Sequence, residues 1–217
     1  IALLGYGRMG KTIEQIAIKR GHKIVLTVDK DDTDYDITKA DVAIDFSIPT
    51  EAFNNISNCI NNNVPVISGT TGWLEQFEDV SKICEEHKGR FLYASNFSIG
   101  VNIFFELNEY LAKMMANMKA YSVDLKEIHH LEKKDAPSGT AISLAEQIIK
   151  NTDYKNWNYP PKDETSSIPI EAERKSGIFG IHNVTYESEI DKLSINHEAK
   201  SRDGFAFGAV IAAEWII

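Results

Sequence analysis

The stretch GYGRMG at positions 5–10 constrains the fold most, because it follows the apolar run IALL and opens a segment with helical periodicity. A strand, a glycine turn and a helix in this order are typical of the first turn of a dinucleotide-binding parallel sheet. Gly5 would permit the tight turn, Gly7 would let the backbone approach a pyrophosphate, and Gly10 would let the helix pack closely. The pattern therefore predicts a dinucleotide site at the helix start, with a merely structural turn as the alternative.

The remainder of the first hundred residues repeats this alternation. Short apolar runs are separated by helical patterns, and these runs are KIVLTV, VAIDF, VPVIS and RFLYA. Strands separated by helices of this length imply right-handed crossovers and a parallel sheet with helices on both faces. The first half of the chain is therefore predicted to be a Rossmann-type α/β domain.

The pattern changes after Gly100, where a long helical segment precedes the strand-like run YSVDLKEIHH and a helix that begins near Ser138. Three closely spaced strand-like runs follow, namely IPIEAER, GIHNVTYES and KLSINHEA. Clustered strands predict an α+β domain with a mixed, largely antiparallel sheet. The closing segment GFAFGAVIAAEWII is predicted to be a helix that packs back on the first domain. We therefore place a dinucleotide domain at 1–100 and 202–217, and a substrate and oligomerisation domain at 101–201.

Composition excludes several classes of protein. The net charge is -9 and the basic residues are scattered, which argues against a nucleic-acid surface. The apolar runs are far shorter than the roughly 20 residues of a membrane-spanning helix, and no signal-peptide pattern opens the chain. Cys59 and Cys84 fall in predicted helices without a CxxC spacing. We expect a soluble cytoplasmic protein, with short terminal pieces beyond the given sequence.

Asp29 ends the second predicted strand, about 20 residues beyond the glycine turn, where an acidic side chain can accept hydrogen bonds from a ribose 2′-hydroxyl. Lys30 follows it directly and could instead pair with a 2′-phosphate. Asp29 would repel such a phosphate, so the pair favours NADH or dual use over strict use of NADPH. A solvated turn is the alternative for both residues.

Two polar stretches, DFSIP at 45–49 and SGTTG at 68–72, also lie at predicted strand ends. Ligands of parallel sheets bind beyond the carboxyl ends of the strands, so both stretches are placed to contact a nicotinamide. Ordinary turn chemistry is an equally good explanation of these residues.

His129 and His130 end the predicted strand YSVDLKEIHH, whose alternation puts Glu127 and His129 on the same face. The basic and polar residues that follow them suggest an anion site. The pair lacks the i, i+4 spacing of a helical zinc site, and no third ligand is near in sequence, so we predict no metal. Lys133 and the helix start at Ser138, Gly139 and Thr140 would oppose negative charge, most naturally a carboxylate. A histidine beside them could donate a proton near neutral pH.

The run EIHHLEKKDAPSGTA resembles the signature of the 4-hydroxy-tetrahydrodipicolinate reductase (dihydrodipicolinate reductase) family. Four other stretches agree, namely GYGRMG, DFS(x)P, GTTG and NFSIGVN at 96–102, and SRDGFAFGAV at 201–210 resembles the closing segment of the family. The resemblance covers essentially the whole chain. It implies NADH- or NADPH-dependent reduction of a cyclic imine dicarboxylate in lysine and diaminopimelate biosynthesis, by a homotetramer.

The resemblance also implies roles for individual residues. His129 would be the general acid and Lys133 its catalytic partner. The substrate carboxylates would be held by His130, Ser138, Gly139, Thr140 and Arg202. The cofactor would contact Gly5, Gly7, Arg8, Met9, Gly10, Asp29, Lys30, Phe46, Gly69, Thr70, Thr71, Asn96 and Phe97.

The chain departs from the family pattern in the cofactor domain. The segment before DFS is short, and the glycine turn reads GxGxxG where many relatives have GxxGxxG, which bears on cofactor preference more than on chemistry. A semialdehyde dehydrogenase would need a nucleophilic cysteine near the nicotinamide, which the helical positions of Cys59 and Cys84 argue against. A nucleotide-sensing module without chemistry is a further alternative, and the presence of His129, Lys133 and Thr140 argues against it.

Overall fold

The computed structural model describes residues 1–29, 32, 34–162 and 164–217. These residues divide into two compact units. The first contains Ile1–Ile99 and Arg202–Ile217, and the second contains Gly100–Ser201.

The sheet of the first unit is parallel throughout its described residues. Its strands are β1 (Ala2–Leu4), β2 (Leu26–Val28), β3 (Ala43–Asp45), β4 (Val66–Ser68) and β5 (Phe91–Tyr93). They lie in the order β2-β1-β3-β4-β5. Each strand is short and almost wholly apolar, as expected for strands covered on both faces.

Helices cover both faces of this sheet. They are α1 (Arg8–Lys19), α2 (Pro49–Asn61), α3 (Phe77–Glu86) and, from the end of the chain, α6 (Asp203–Ile216). Successive residues of β1 point to opposite faces, so Ala2 and Leu4 join one apolar cluster with α2 while Leu3 joins another with α1 and α6. The predicted helix at the end of the chain is thus confirmed, and it packs on the face that α1 also covers.

Close backbone contact fixes α6 against the segment that follows β5. A Cβ added to Gly208 would lie 1.7 Å from the carbonyl oxygen of Phe97. The position therefore accepts only glycine without movement of the helix.

The second unit is built on a mixed sheet. Helix α4 (Ile99–Met115) precedes β6 (Ser122–His129), and α5 (Gly139–Asn151) precedes the strands β7 (Asn156–Asn158), β8 (Ser167–Arg174), β9 (Gly180–Glu187) and β10 (Lys192–Ala199). The order is β10-β9-β6-β8-β7, with the first two pairings antiparallel and the last two parallel. The predicted fold class is confirmed; the short edge strand β7 was not predicted, because its sequence NWN is mostly polar.

The core of the second unit lies between this sheet and its helices. Val123 and Leu125 of β6 pack with Leu144 and Ile148 of α5 and with Phe104 of α4.

Within the described residues, no helix is long and apolar enough to cross a membrane.

Candidate active site

A cavity of about 680 Å³ opens in the first unit at the carboxyl ends of β1, β2 and β3. Strand β2 lies on one side of β1, and β3, β4 and β5 follow in order on the other side. The strand order therefore reverses between β1 and β3. Ligands of open parallel sheets bind at such a point. Four of the residues predicted to bind the cofactor line the cavity, and they are Gly5, Gly7, Asp29 and Phe46.

The glycine turn has the geometry that a pyrophosphate requires. Gly5 has a φ of +91°, and a Cβ there would lie 2.3 Å from the carbonyl oxygen of Phe46. A Cβ on Gly10 would lie 2.3 Å from the carbonyl oxygen of Gly5, whereas one on Gly7 would meet nothing within 4 Å. Gly7 precedes α1 and has no side chain to cap it, so the first turn of the helix faces open space. These residues fit a bound dinucleotide.

The lining of the cavity is acidic. Asp29 follows β2, and Asp32, Asp34 and Glu51 also line the cavity. The backbone N–H of Asp29 donates to Oδ2 of Asp32 at 2.9 Å. Lys30, which was predicted to contact the cofactor, lies outside the described residues.

Asp45, at the end of β3, organises the two loops predicted to contact the nicotinamide. The residue is fully buried, and its carboxylate accepts hydrogen bonds from Ser47 Oγ, Ser68 Oγ and Thr70 Oγ1 at 2.6–2.8 Å and from Asn55 Nδ2 at 3.2 Å. Burial raises the pKa of Asp45, while these four donors act in the opposite direction. One carboxylate thus ties both loops to α2.

The other predicted cofactor residues are distributed around this centre. The ring of Phe46 lies where a side chain on Gly69 would be, at 2.3 Å from the added Cβ, and 5.9 Å from the ring of Phe97. Phe97 and Thr70 are buried, Met9 and Asn96 are half-buried, and Arg8 and Thr71 are exposed. The side chain of Asn96 accepts a hydrogen bond from the backbone N–H of Ser98.

The second unit brings a carboxylate and two histidines together inside the sheet. Burial alternates along β6, so Glu127 and His129 share the buried face, as predicted. Nδ1 of His129 lies 3.4 Å from Oε2 of Glu127, and Nε2 of His182 on β9 lies 3.7 Å from the same oxygen. The two histidine rings pack edge to face, with centroids 5.0 Å apart.

Burial lowers the pKa of His129 to about 4, with Glu127 acting to raise it and Lys133 and Arg174 acting to lower it. Burial also lowers the pKa of His182 to about 3. Both imidazoles are therefore neutral at pH 7 in the free protein.

Lys133 is held by its own loop. Its Nζ donates to both carboxylate oxygens of Asp135, at 2.9 and 2.7 Å. The neighbouring Lys134 is exposed.

Helix α5 begins where it was predicted to begin. Ser138 is its N-cap and accepts a hydrogen bond from the backbone N–H of Ala141, while its own N–H donates to both oxygens of Glu127 at 3.1 Å. Ser138 is buried, Thr140 is half-buried, and Gly139 is exposed with nothing within 4 Å of an added Cβ. The helix start is therefore open at Gly139, which suits an anion.

Two further residues were predicted to bind the substrate. His130 follows the end of β6 and is half-buried. Arg202 precedes α6 in the first unit and is also half-buried.

The sequence analysis missed four buried or half-buried residues that organise the site, namely Asp45, Glu127, Arg174 and His182. Glu127 could have been suspected, because it belongs to the quoted run EIHH. The ligand atoms of Glu127, His129 and His182 lie within 4.8 Å of one another, a spacing that three metal ligands can have. However, the oxygens of Glu127 already accept hydrogen bonds from Ser138 and Arg174, which would compete with a metal for their lone pairs.

The cavity at the carboxyl ends of β1, β2 and β3 fits a dinucleotide, and the start of α5 with Lys133 fits an anion. Together these features define a class of protein, the two-domain oxidoreductases that use a nicotinamide dinucleotide. Comparison with known proteins narrows this class. The family model of the dihydrodipicolinate reductase N-terminus matches residues 1–97, and that of the C-terminus matches residues 100–217. The chain therefore belongs to the dihydrodipicolinate reductase family, as the resemblance predicted.

Individual relatives agree with this assignment. The chain is 55% identical over 219 residues to a 4-hydroxy-tetrahydrodipicolinate reductase of Christiangramia forsetii, covering 100% of this chain and 91% of the relative. It is 34% identical to the reductase of Archaeoglobus fulgidus, covering 97% and 90%. The chain is thus an NAD(P)H-dependent oxidoreductase of lysine and diaminopimelate biosynthesis, for which NADH or NADPH is the reductant.

Solved structures show the same fold. A dipicolinate-bound dihydrodipicolinate reductase from Paenisporosarcina has a TM-score of 0.77 at 24% identity, covering 99% of this chain and 93% of that one. An aspartate semialdehyde dehydrogenase from Vibrio cholerae has a TM-score of 0.51 at 10% identity, covering 98% and 96%. In this chain, however, burial raises the pKa of the Cys59 thiol to about 12 and that of the Cys84 thiol above its usual value, so neither is a ready nucleophile.

Proposed function

We propose that this chain reduces 4-hydroxy-tetrahydrodipicolinate (dihydrodipicolinate) to tetrahydrodipicolinate, with His129 as the proton donor and Lys133 as its catalytic partner. The observation that carries the proposal is the grouping of His129, Lys133 and the open start of α5 in one unit. An imidazole, an ammonium and a helix N-terminus together suit a dicarboxylate that must also receive a proton.

The cofactor would lie in the first unit. Gly7 and the start of α1 would hold the pyrophosphate, and Asp29 the adenosine ribose. The loops tied by Asp45 would hold the nicotinamide end, through Phe46, Gly69, Thr70, Thr71, Asn96 and Phe97. When bound, the dinucleotide supplies the hydride.

The substrate carboxylates would be held by charge and by oriented N–H groups. Lys133 would exchange the Asp135 carboxylate for a substrate carboxylate. The helix start at Ser138, Gly139 and Thr140 would bind the other, with His130 and Arg202 as further contacts. These cationic groups would also stabilise the electron density that enters the ring with the hydride.

His129 would complete the reduction. Hydride addition to the ring pushes an electron pair into an enamine, and His129 would then give its proton to the enamine carbon and return to neutral imidazole. Dihydrodipicolinate thus gains one hydride and one proton, and its 4-hydroxy precursor loses one water before the hydride is added. The nearby negative charge of the bound dicarboxylate would favour protonation of His129 before the step.

The direct test is turnover by the purified protein. Freshly condensed pyruvate and aspartate semialdehyde would be supplied, and oxidation of NADH and of NADPH would be followed separately. Rapid oxidation that requires both condensation partners supports the proposal. Oxidation of neither dinucleotide would overturn it.

The acidic wall of the cavity supports a preference for NADH. Asp29, Asp32, Asp34 and Glu51 would repel a 2′-phosphate, because like charges this close disfavour binding. A larger kcat/KM with NADH than with NADPH is expected. The reverse preference would assign the decisive role to Lys30.

We also propose the predicted domain roles, with dinucleotide binding by 1–100 and 202–217 and substrate binding by 101–201. A cytoplasmic homotetramer, joined through the strand-rich stretch 168–199, completes the proposal. Sedimentation equilibrium would test the assembly. A monomer at assay concentration would exclude the tetramer.

A further inference from the structure

Glu127 is a buried carboxylate to which the sequence analysis gave no role. It lies on β6, two residues before His129 on the same face, and its side chain is fully buried. A buried carboxylate is tolerated only where it is paired and hydrogen-bonded. Arg174 Nη2 donates to Oε1 of Glu127 at 3.2 Å, and the N–H of Ser138 donates to both oxygens at 3.1 Å.

Arg174 extends this contact to the loop between β6 and α5. Its Nη2 also donates to the carbonyl oxygen of Asp135 at 2.6 Å, and its Nε donates to that of Lys133 at 3.3 Å. The strand register explains the placement, because Arg174 is the β8 partner of His129. The planar guanidinium can make these bonds at once, which a lysine cannot do.

The two residues therefore hold the middle and the end of the loop. Arg174 fixes the backbone at Lys133 and Asp135, and Glu127 fixes Ser138, the N-cap of α5. These are the positions from which the ammonium of Lys133 and the N–H groups of the helix start would reach the substrate. Movement of either position would misplace one of the two proposed carboxylate sites.

The same carboxylate faces the proposed proton donor. Oε2 of Glu127 lies 3.4 Å from Nδ1 of His129. Nε2 of His129 faces Gly180 on β9, where an added Cβ would lie 3.2 Å away, so the absence of a side chain leaves this nitrogen room. A carboxylate beside Nδ1 favours a proton on that nitrogen and fixes the ring orientation.

We infer that Glu127 and Arg174 form a buried positioning pair, which sets the loop 130–138 for dicarboxylate binding and orients His129 for proton transfer. We assign both residues a role that acts through the loop and the imidazole. The inference rests on the proposed function, because it concerns the same site.

The test compares Glu127→Gln and Arg174→Lys with wild type. Glu127→Gln keeps the shape and one acceptor for the N–H of Ser138 but loses the charge. Arg174→Lys keeps the positive charge but loses the planar guanidinium that bonds Glu127, Lys133 and Asp135 together. The matched control is Glu171→Gln, which removes an exposed carboxylate on the neighbouring strand, 3.0 Å from Lys126. Dissociation constants for dipicolinate and NADH, kcat, KM, pH profiles and thermal melts would be measured for each.

Both variants of the pair should bind NADH as wild type does, yet bind dipicolinate at least about tenfold more weakly and lose about tenfold to a hundredfold in kcat. In Glu127→Gln the pKa assigned to His129 in the kcat profile should also fall, because the carboxylate that favours imidazolium is gone. The charged or titratable groups around His129 that contribute to this profile are Glu127, Lys133, Asp135, Arg174 and His182. Glu171→Gln should change none of these quantities.

Melting temperature separates positioning from folding. A fall in stability with unchanged dipicolinate affinity and pH profile would overturn the inference and leave a purely structural pair. If Glu127→Gln fails to fold, Arg174→Lys decides by the same measurements. Absence of turnover by wild type would instead refute the proposed function, and dipicolinate affinity would still decide whether the pair sets an anion site.

Discussion

Binding of a dicarboxylate should make the protein take up a proton at His129. The side chain of His129 is 10% exposed, and burial lowers its pKa from 6.5 to about 4 in the free protein. This shift means that the surroundings disfavour the imidazolium by about 3 kcal/mol, so that about one molecule in a thousand is protonated at pH 7. The residue must gain its proton when substrate binds if it is to donate one.

The size of the change follows from Coulomb's law. A carboxylate about 4 Å from the imidazole contributes about 4 kcal/mol at the effective dielectric constant of about 20 found near protein surfaces. That energy corresponds to about three pKa units, which would bring the pKa of bound His129 to about 7. Uptake should approach one proton per site near pH 5.5, fall to about half a proton near pH 7, and vanish above about pH 8.5.

Calorimetric titration with dipicolinate, in two buffers of different ionisation enthalpy at each pH, measures this uptake. NADH should be present so that the site is complete. The control is His129→Gln. Any protonation of the ligand itself should be unchanged in this variant, whereas the pH-dependent proton uptake assigned to His129 should be absent. Equal proton uptake by wild type and His129→Gln would refute the reasoning.

Four further substitutions test the first unit. Gly7→Ala should weaken NADH binding with little change in melting temperature, because its Cβ would meet no protein atom within 4 Å. Gly10→Ala should weaken binding and also lower the melting temperature, because its Cβ would lie 2.3 Å from a carbonyl oxygen. Equal melting temperatures for the two variants would contradict this contrast. Asp45→Ala should cost about 3–5 kcal/mol in denaturant unfolding, because three buried donors and the half-buried Ser47 lose their acceptor. A loss below about 1 kcal/mol would show that Asp45 does not hold the two loops together. Asp29→Ala should raise the ratio of kcat/KM for NADPH to kcat/KM for NADH at least about fivefold, because a repulsive charge is removed. An unchanged ratio would show that Asp29 is only part of a solvated turn.

Much of the first unit could be predicted because its local signals agree with its fold. The glycine turn, the apolar strands and the helical segments each specify one element, and parallel strand order follows from their alternation. The strand ends then bring Gly5, Phe46 and Gly69 together without any further information. Asp45 escaped prediction because its four donors come from three separate segments, so its role depends on strand order rather than on spacing.

In the second unit, too, the residues that depend on strand order could not be predicted from the sequence. Alternation along β6 predicted that Glu127 and His129 share a face, and the serine at 138 predicted the helix start. Arg174 and His182 lie 36 and 44 residues beyond Ser138 in sequence and join the site only because β8 and β9 flank β6. No local pattern specifies that pairing, since a mixed sheet permits several strand orders.

The proposed function requires that Lys133 and His129 act on a bound dicarboxylate. Lys133 and Lys134 offer a matched pair, because they are adjacent and the structure places only the first in a carboxylate contact within the described part of the loop. Steady-state turnover of condensed pyruvate and aspartate semialdehyde should fall at least about a hundredfold in Lys133→Ala, with NADH affinity nearly unchanged, and Lys134→Ala should resemble wild type. Near wild-type turnover by Lys133→Ala would contradict the account.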